Sequence, residues 1–240
     1  MQVEDHGSVA PERGLRLEIE ALRRKESAAS PETPSRDAYE QFKDETGCTV
    51  DTSERLLIWE SERFAVILPR YGDPEEWVRV RVCADRGVPM LHRESAGGAV
   101  VIGPGCLNFA LVLSLDRRPL LADVERSYSW LLGRLAGVLA VDGIAVRSTD
   151  LAIHDRKFAG NAQRRVRGGL LHHGVVLYDF DVELVDMLLP EPPRRPAWRG
   201  SRTHREFLTN APLAREAIVR RLGRLPAALQ RRAEFQEHPE

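Results

Sequence analysis

The spacing of hydrophobic residues along the chain predicts five helices. In residues 120–141 apolar side chains recur every three or four positions until Asp142-Gly143 ends the pattern, which makes this the longest predicted helix. Asp73 followed by Pro74 is typical of a helix N-terminus and starts a helix over residues 74–84. The remaining helices are predicted at residues 13–24, 182–189 and 213–225.

Short apolar runs between polar or glycine-containing segments predict strands. Such runs occupy residues 56–59, 64–68, 88–91, 107–115, 144–146, 151–153, 157–162 and 170–178. The first two flank a polar turn and are predicted to pair with each other. Helices and strands follow in mixed order, without regular βαβ alternation. The pattern therefore favours an α+β fold, with a central mixed, largely antiparallel sheet flanked by helices.

Length and composition limit the classes of protein to which the chain can belong. The 240 residues suit one domain, or one domain with a short appendage, and residues 26–36 read as a Ser-, Pro- and Glu-rich loop or linker. With 42% apolar residues and no run near 18 apolar positions, neither a disordered chain nor a membrane-spanning one is expected. The polar amino terminus does not resemble a secretory signal, and three cysteines do not form a disulfide framework. A cytoplasmic location is expected.

Basic residues are unevenly distributed along the chain. The net charge is −1, but the segment from Pro192 to Arg232 holds 11 arginines against two acidic residues. Such a segment is either an interaction surface or an Arg-rich solvated helix. Only three of the 35 basic residues are lysines: Lys25, Lys43 and Lys157. A lysine kept against this bias suggests a need for a compact ammonium, and Lys157 stands out because small residues follow it.

Two glycine-containing segments are candidates for ligand binding, and the first, RESAGGA, runs from Arg93 to Ala99. Paired glycines let a backbone turn closely around a ligand with N–H groups facing an anion, and Arg93 could form two hydrogen bonds with it. No GKS or GKT follows, which excludes a P-loop. A strand follows instead of a helix, which argues against a dinucleotide fingerprint. A simple turn between strands remains the alternative.

The second segment combines Asp150, Lys157, the GNAQ run at 160–163 and the HHG run at 172–174. The small residues would let a ligand lie against the backbone with the Lys157 ammonium at its polar end. Adjacent histidines in a strand point to opposite faces, so they cannot readily bind one metal ion. Because the cysteines also lie elsewhere in the chain, no metal site is predicted.

Together and in order, these motifs resemble the lipoate–protein ligase A family of the biotin/lipoate A/B protein ligase superfamily. RESAGGAV resembles the family's RRxSGGGAV segment, and LNF resembles the strand that follows it. The later resemblance lies in DL, KFAGNAQ and HHG, which look like the family's ND(L/I), K(V/I)(S/A)G(N/S)A(Q/Y) and HHG(T/S). The matching segments lie at residues 93–100, 107–109, 150–151, 157–163 and 172–174. The resemblance is best over residues 56–180.

The resemblance implies a biotin/lipoyl-ligase-like catalytic domain over residues 13–190 and an Arg-rich C-terminal extension with one helix over residues 191–240. It implies that ATP, with Mg²⁺, activates lipoate or octanoate as an acyl-adenylate. The acyl group then passes to a lysine of an acidic lipoyl-domain carrier, of the glycine-cleavage H protein or dehydrogenase E2 type. No nucleic-acid partner is implied.

The resemblance also implies roles for particular residues. Lys157 matches the family lysine that contacts the acyl carboxylate and the adenylate phosphate. It is therefore the implied catalytic residue. An ammonium in a dry pocket would stabilise the negative charge that accumulates there. The implied substrate- and nucleotide-binding residues are Arg93, Ser95, Gly97, Gly98, Ala99, Val100, Val101, Asn108, Asp150, Gly160, Asn161, Ala162, Gln163, His172, His173 and Gly174.

Several positions depart from the family pattern. His92, Ala96 and Thr149 stand where the family usually has Arg, Gly and Asn, and the accessory domain of the longer ligases has no room after residue 190. Two alternatives stay open: an accessory subunit completes the enzyme, or adenylation does not occur.

Other activities also remain open. Related transferases use a cysteine thioester in place of ATP, and Cys106 is the thiol near a glycine loop in the matched region. Its simpler role is that of a small buried residue. A non-catalytic homologue that binds an acylated carrier is a third reading. A biotin ligase is disfavoured because the GRG-type loop is absent.

The arginines just after the matched region suggest a docking surface. We expect them either to steer an acidic carrier or to fold back and pair with the acidic body of the protein. They are Arg194, Arg195, Arg199, Arg202 and Arg205.

Overall fold

The computed structural model describes residues 1–28 and 54–230, which form two sheets flanked by helices. The strands are β1 (Gln2–Val9), β2 (Arg55–Ser61), β3 (Ala65–Leu68), β4 (Met90–His92), β5 (Val100–Ile102), β6 (Cys106–Ser114), β7 (Ala145–Arg147), β8 (Asp150–Ile153), β9 (Arg156–Val166) and β10 (Gly169–Leu177). The helices are α1 (Pro11–Ala28), α2 (Pro74–Trp77), α3 (Val80–Asp85), α4 (Val124–Leu139), α5 (Glu183–Leu188), α6 (His204–Phe207), α7 (Arg215–Leu222) and α8 (Leu225–Gln230). Short 3-10 helices lie at Pro119–Ala122 and Ala197–Arg199.

The predicted α+β class and its largely antiparallel sheet are confirmed. The larger sheet has the order β1-β2-β6-β10-β9-β8-β7, in which β1 runs parallel to β2 and the other neighbouring strands are antiparallel. The smaller sheet has the order β4-β3-β5. The chain therefore crosses between sheets after β2, and the predicted pairing of residues 56–59 with 64–68 is wrong. Its polar turn carries the chain to a second sheet instead of closing a hairpin.

The helix predictions hold with local corrections. The Asp73 side chain accepts a hydrogen bond from the Glu75 backbone N–H and caps α2, as predicted. Extended backbone at Val78 (φ −137°, ψ 144°) then divides the predicted 74–84 helix into α2 and α3. The longest predicted helix begins later than expected, because the Asp123 side chain accepts a hydrogen bond from Arg126 N–H and caps α4 there. It ends at Ala140, which has a left-handed backbone (φ 45°).

The amino-terminal region contains a strand that the sequence pattern did not indicate. Strand β1 is charged and lies at the edge of the larger sheet, paired on one side with β2, so it lacks an apolar run. Helix α1 continues through Ala28, so the first part of the predicted linker at 26–36 is helical. Residues 29–36 lie outside the described residues.

Helices cover both faces of the larger sheet. Helix α4 packs on one face, together with the C-terminal helices α7 and α8. Helix α1 packs on the other face through Ala21 and Leu22, which contact Leu57 and Leu171. Within the described part of the chain, no helix is both long and apolar enough to cross a membrane.

The Arg-rich segment is integrated into the fold. The sequence assigned residues 191–240 to an extension with one helix, but three helices, α6, α7 and α8, lie in its described part. The buried apolar residues of α7 and α8, together with Ala211 before α7, belong to the same buried cluster as strands β6 and β10. These buried residues are Ala211, Ile218, Leu222, Leu225 and Leu229. The apolar positions between the arginines predict one amphipathic helix. In the structure they belong to two helices, α7 and α8, which pack on the core.

Candidate functional site

A cavity of about 320 Å³ lies where α1, the central strands, the loop before β5 and the segment after α5 meet. Most of its walls are apolar, which suits an aliphatic ligand. The large apolar side chains that line it include Leu15, Trp59, Ile67, Val101, Phe158, Leu177, Phe180 and Phe207.

Most of the residues singled out from the sequence line this cavity. They are Arg93, Gly97, Gly98, Ala99, Val100, Val101, Asn108, Asp150, Lys157, Gly160, Asn161, Ala162, His173 and Gly174. Three others, Ser95, Gln163 and His172, do not form part of its wall. The residues of β8, β9 and β10 come together because these strands are neighbours in the sheet, and Asn108 joins them because β6 is paired with β10.

The lysine singled out by its rarity forms an ion pair in the cavity wall. Lys157 Nζ lies 2.7 Å from Asp150 Oδ1, and the Asp150 side chain is only 6% exposed. Strands β8 and β9 bring the two side chains together. A Cβ on Gly160 would lie 2.7 Å from Lys157 Nζ, so glycine at this position leaves the space that the lysine occupies. The pair therefore holds the Lys157 ammonium in the wall of a mostly apolar cavity.

A hydrogen-bonded chain of four buried polar residues, Glu18–His173–Ser95–Arg93, links α1 to the loop before β5. Glu18 Oε2 lies 2.6 Å from His173 Nδ1, and His173 Nε2 lies 2.6 Å from Ser95 Oγ. Because a carboxylate only accepts hydrogen bonds, Nδ1 donates to Glu18 and, in the neutral imidazole, Nε2 accepts from the Ser95 hydroxyl. Trp59 Nε1 donates to the other Glu18 oxygen at 3.1 Å. Sequence reasoning missed Glu18, since it lies in a helix outside the recognised motifs.

Arg93 holds the glycine loop in place through hydrogen bonds to its backbone carbonyls. Its Nε donates to Ser95 Oγ at 2.9 Å, and its Nη2 donates to the carbonyls of Ala96 and Gly98 at 2.7 and 2.8 Å. Its Nη1 donates to the Ile67 carbonyl at 3.3 Å. Burial lowers the pKa of Arg93 to about 10, partly opposed by Glu18. The two hydrogen bonds expected toward a ligand anion are thus made to backbone carbonyls instead.

Gln163 and His172 lie on the opposite face of the sheet, beneath α4. Ser127 Oγ donates to Gln163 Oε1 at 2.9 Å, and Gln163 Nε2 lies 3.0 Å from His172 Nδ1. Burial, with His173 and Arg165 nearby, lowers the pKa of His172 to about 3, so its ring is neutral. The sequence grouped these two residues with the binding site, but alternation along β9 and β10 turns them away from it.

The thiols of the described residues lie away from the cavity wall. Cys106 is fully buried in β6, and burial, followed by the charge of Glu60, raises its thiol pKa far above the ordinary value. Cys83 is also fully buried, and burial raises its pKa. Cys48 lies outside the described residues. Cys106 thus has the character of a small buried residue.

The segment after α5 supplies one wall of the cavity, which the sequence reading did not anticipate. Its lining residues are Pro190, Pro192, Pro193, Arg194, Pro196, Arg199, His204, Phe207 and Leu208. The proline-rich run was the available signal, because it directly follows β10, the last strand, and helix α5.

Most arginines of this segment pair with the protein itself. Glu191 is paired with Arg199 at 2.9 Å and with Arg195 at 3.3 Å. Arg202 pairs with Asp155 at 3.5 Å, and Arg205 with Glu183 at 3.1 Å. Of the two expectations for these arginines, the structure favours folding back onto the body.

Comparison with known proteins identifies the family and agrees with the fold. The family model described as the lipoyl protein ligase A/B catalytic domain matches residues 40–210, more than half of the chain. A putative lipoate-protein ligase A from Schizosaccharomyces pombe is 24% identical over 176 residues, which is 71% of this chain and 46% of that protein. An octanoyl-[GcvH]:protein N-octanoyltransferase from Bacillus velezensis is 32% identical over 101 residues, 38% of this chain and 34% of that protein. The chain thus spans about half or less of these relatives.

Solved structures show the same architecture. The bi-partite lipoate protein ligase of Thermoplasma acidophilum, studied with its E2 lipoyl domain, superimposes with a TM-score of 0.70 at 20% identity, covering 95% of this chain and 83% of that one. A lipoate-protein ligase A bound with ATP gives a TM-score of 0.68 at 20% identity, covering 95% and 86%. At this identity the likeness concerns the fold alone, and the family model carries the assignment. The chain therefore belongs to the lipoyl protein ligase A/B catalytic-domain family.

Proposed function

We propose that the protein is a lipoate/octanoate–protein ligase, which activates the fatty acid as an acyl-adenylate and transfers it to a lysine of a lipoyl-domain carrier. The observation that carries this proposal is the Lys157–Asp150 pair at 2.7 Å in a mostly apolar cavity. The apolar walls suit an aliphatic tail, and the ammonium suits the negative charge of an acyl phosphate.

The proposed reaction has two steps. A carboxylate oxygen of the fatty acid attacks the α-phosphorus of ATP and pyrophosphate leaves. The carrier's neutral lysine amine then attacks the acyl carbonyl, the bond between the acyl carbon and the phosphate oxygen breaks, AMP leaves, and the nitrogen loses a proton to solvent. Lys157 stabilises the negative charge in both steps, and Asp150 orients it. Because negative charge builds up in the transition state, a cation already held in place costs little reorganisation.

ATP use is supported by the ATP-bound ligase that shares this fold. The glycine loop over 96–98, held by Arg93, is the proposed nucleotide contact. Mg²⁺ would enter with the phosphates and would keep several water ligands, as it usually does at substrate phosphates. The buried carboxylates of the cavity, Asp150 and Glu18, already have partners in Lys157 and His173, so we propose no metal cage made by the protein alone.

The proposed partner is an acidic lipoyl-domain carrier, of the glycine-cleavage H protein or dehydrogenase E2 type. The names of relatives support it, since one acts on GcvH and another was studied with an E2 lipoyl domain. An accessory subunit also remains part of the proposal, because one structural neighbour is a bi-partite ligase. We propose that these proteins meet in the cytoplasm.

ATP-independent octanoyl transfer is the second candidate, favoured by the octanoyltransferase relative at 32% identity. In that reaction the acyl group would come from an octanoylated carrier. Since Cys106 is fully buried and does not line the cavity, transfer through that thiol is disfavoured.

The test is to weigh the carrier. Purified protein is mixed with an apo lipoyl domain and octanoate or lipoate, with and without ATP and Mg²⁺, and the carrier is analysed by intact mass spectrometry. A parallel reaction supplies an octanoylated H protein without ATP. Ligase activity predicts acylation only when ATP is present. Acylation only from the octanoylated donor would replace the ligase proposal with the transferase. Acylation in neither reaction would contradict both activities for this chain acting without an accessory subunit.

A further inference from the structure

The cations around the cavity differ in whether they have internal partners. Four cationic residues line it: Arg93, Lys157, Arg194 and Arg199. An activated acyl donor carries at least one phosphate, and a cation without an internal partner can bind that phosphate without first breaking an existing contact. Which of the four is available decides how the donor is recognised.

Three of the four cations are held by the protein. Arg93 makes four hydrogen bonds to Ser95 and to backbone carbonyls. Lys157 is paired with Asp150 at 2.7 Å. Arg199, whose side chain is 5% exposed, pairs with Glu191 at 2.9 Å and donates to the Arg202 carbonyl at 2.9 Å. Each is fixed in place: Lys157 and Arg199 are paired with carboxylates, and the Arg93 guanidinium donates to backbone carbonyls.

Arg194 differs from these three. It is exposed and lines the cavity, and it makes no hydrogen bond or ion pair with any residue of the described ranges 1–28 and 54–230. Its neighbours Pro192, Pro193 and Pro196 restrict the backbone, because proline fixes φ near −65°. The arginine is therefore presented at the cavity on a stiff segment, which reduces the entropy lost when it binds a ligand.

We propose that Arg194 is the anion-recognition residue of the site and binds a phosphate group of the nucleotide or of the acyl-adenylate. This rests on the proposed function and extends it to a residue outside the motif run. A planar guanidinium can donate two parallel hydrogen bonds to phosphate oxygens, which suits this role better than the paired ammonium of Lys157. In this arrangement Lys157 serves the reacting carbonyl and phosphate ester, while Arg194 holds the donor in place.

The adjacent residue provides a matched control. Arg195 is exposed and carries the same charge in the same proline-rich run, but it pairs with Glu191 at 3.3 Å and does not line the cavity. Long-range electrostatic effects should be nearly equal for Arg194→Gln and Arg195→Gln. A difference between the two variants therefore reports a direct contact.

The experiment measures equilibrium binding by calorimetry. AMP, ATP with Mg²⁺ and octanoate are titrated separately into the full-length wild type, Arg194→Gln and Arg195→Gln, with melting temperatures recorded for each. We expect Arg194→Gln to weaken AMP and ATP binding about 10-fold or more, as for loss of a charge-assisted contact, and octanoate binding less than about 2-fold. Arg195→Gln should leave all three affinities within about 2-fold of the wild type, as a pair at the surface contributes little.

Several results would overturn the inference. Equal effects of the two variants on nucleotide binding would show that only the overall charge matters. A higher carrier KM in Arg194→Gln, with unchanged AMP affinity, would assign the arginine to the acidic carrier instead. The proposed function fails separately: if the wild type acylates no carrier but binds AMP in an Arg194-dependent way, the ligase proposal is wrong and the anion site stands.

Discussion

Replacing Glu18 with Gln tests whether the buried polar chain is an essential part of the cavity. In the structure both carboxylate oxygens accept hydrogen bonds, one from Trp59 Nε1 at 3.1 Å and one from His173 Nδ1 at 2.6 Å. Glutamine has the same shape but offers one oxygen and one NH₂ group. With the His173 tautomer unchanged, one of the two buried N–H donors faces another donor whichever way the amide turns. A shift of the ring proton to Nε2 would instead take the acceptor from the Ser95 hydroxyl.

The magnitude follows from that count. A buried donor left without an acceptor costs about 1–3 kcal/mol, and the charge assistance of the His173 bond is lost as well. For a chain of this size 1 kcal/mol corresponds to about 2–4 °C in melting temperature. Taking about 2 kcal/mol as the central value, we expect Glu18→Gln to melt about 4–8 °C below the wild type.

The assay is thermal unfolding followed by circular dichroism, with Glu20→Gln as the matched control. Glu20 lies on the same helix but is exposed, so its replacement should change the melting temperature by less than about 2 °C. If Glu18→Gln and Glu20→Gln have the same melting temperature, then Glu18 does not hold His173 and Trp59 as described. Octanoate affinity is measured on the same samples. It shows whether breaking the hydrogen-bonded chain that begins at Glu18 also changes ligand binding in the cavity.

Three further predictions follow from single residues. Gly160→Ala places a Cβ 2.7 Å from Lys157 Nζ, so the lysine must move, and carrier acylation should fall about 10-fold or more while the melting temperature changes little. Cys106→Ser should keep acyl transfer, and iodoacetamide at pH 8 should leave native Cys106 unmodified because burial raises its pKa. His172, whose pKa burial lowers to about 3, is protonated first in the unfolded chain, so stability should fall as the pH drops from 6.5 towards 3. Between these pH values the urea midpoint of unfolding should fall less in His172→Gln than in the wild type. An equal fall in the two proteins would contradict this prediction.

The parts of the site that could be predicted from the sequence lie on neighbouring strands. The spacing of Lys157, Gly160 and Gly174 placed them on β9 and β10, and these strands are paired in the sheet. The alternation of strand residues also implied opposite faces for His172 and His173, although both were assigned to the binding site. Local patterns therefore locate residues along a strand well, but a motif contains residues from both faces.

The residues that were missed come from distant or unpatterned segments. Glu18 meets His173 across 155 positions of sequence, and nothing in helix α1 marks that one acid among several. Strand β1 is charged because it is an edge strand, so it carries no apolar run. The proline-rich wall around Arg194 depends on how the chain returns over the sheet after α5. Contacts of this kind depend on tertiary packing, which periodicity does not encode.

The most direct test of the central claim compares carrier acylation by the wild type and by Lys157→Arg. Arginine keeps the charge but is longer and planar, and it cannot place a compact ammonium 2.7 Å from Asp150 in the space beside Gly160. With the apo lipoyl domain weighed after timed reactions, we expect the variant to be folded, by its melting curve, and at least about 100-fold slower. Acylation at the wild-type rate by folded Lys157→Arg would contradict the assignment of Lys157 as the catalytic residue.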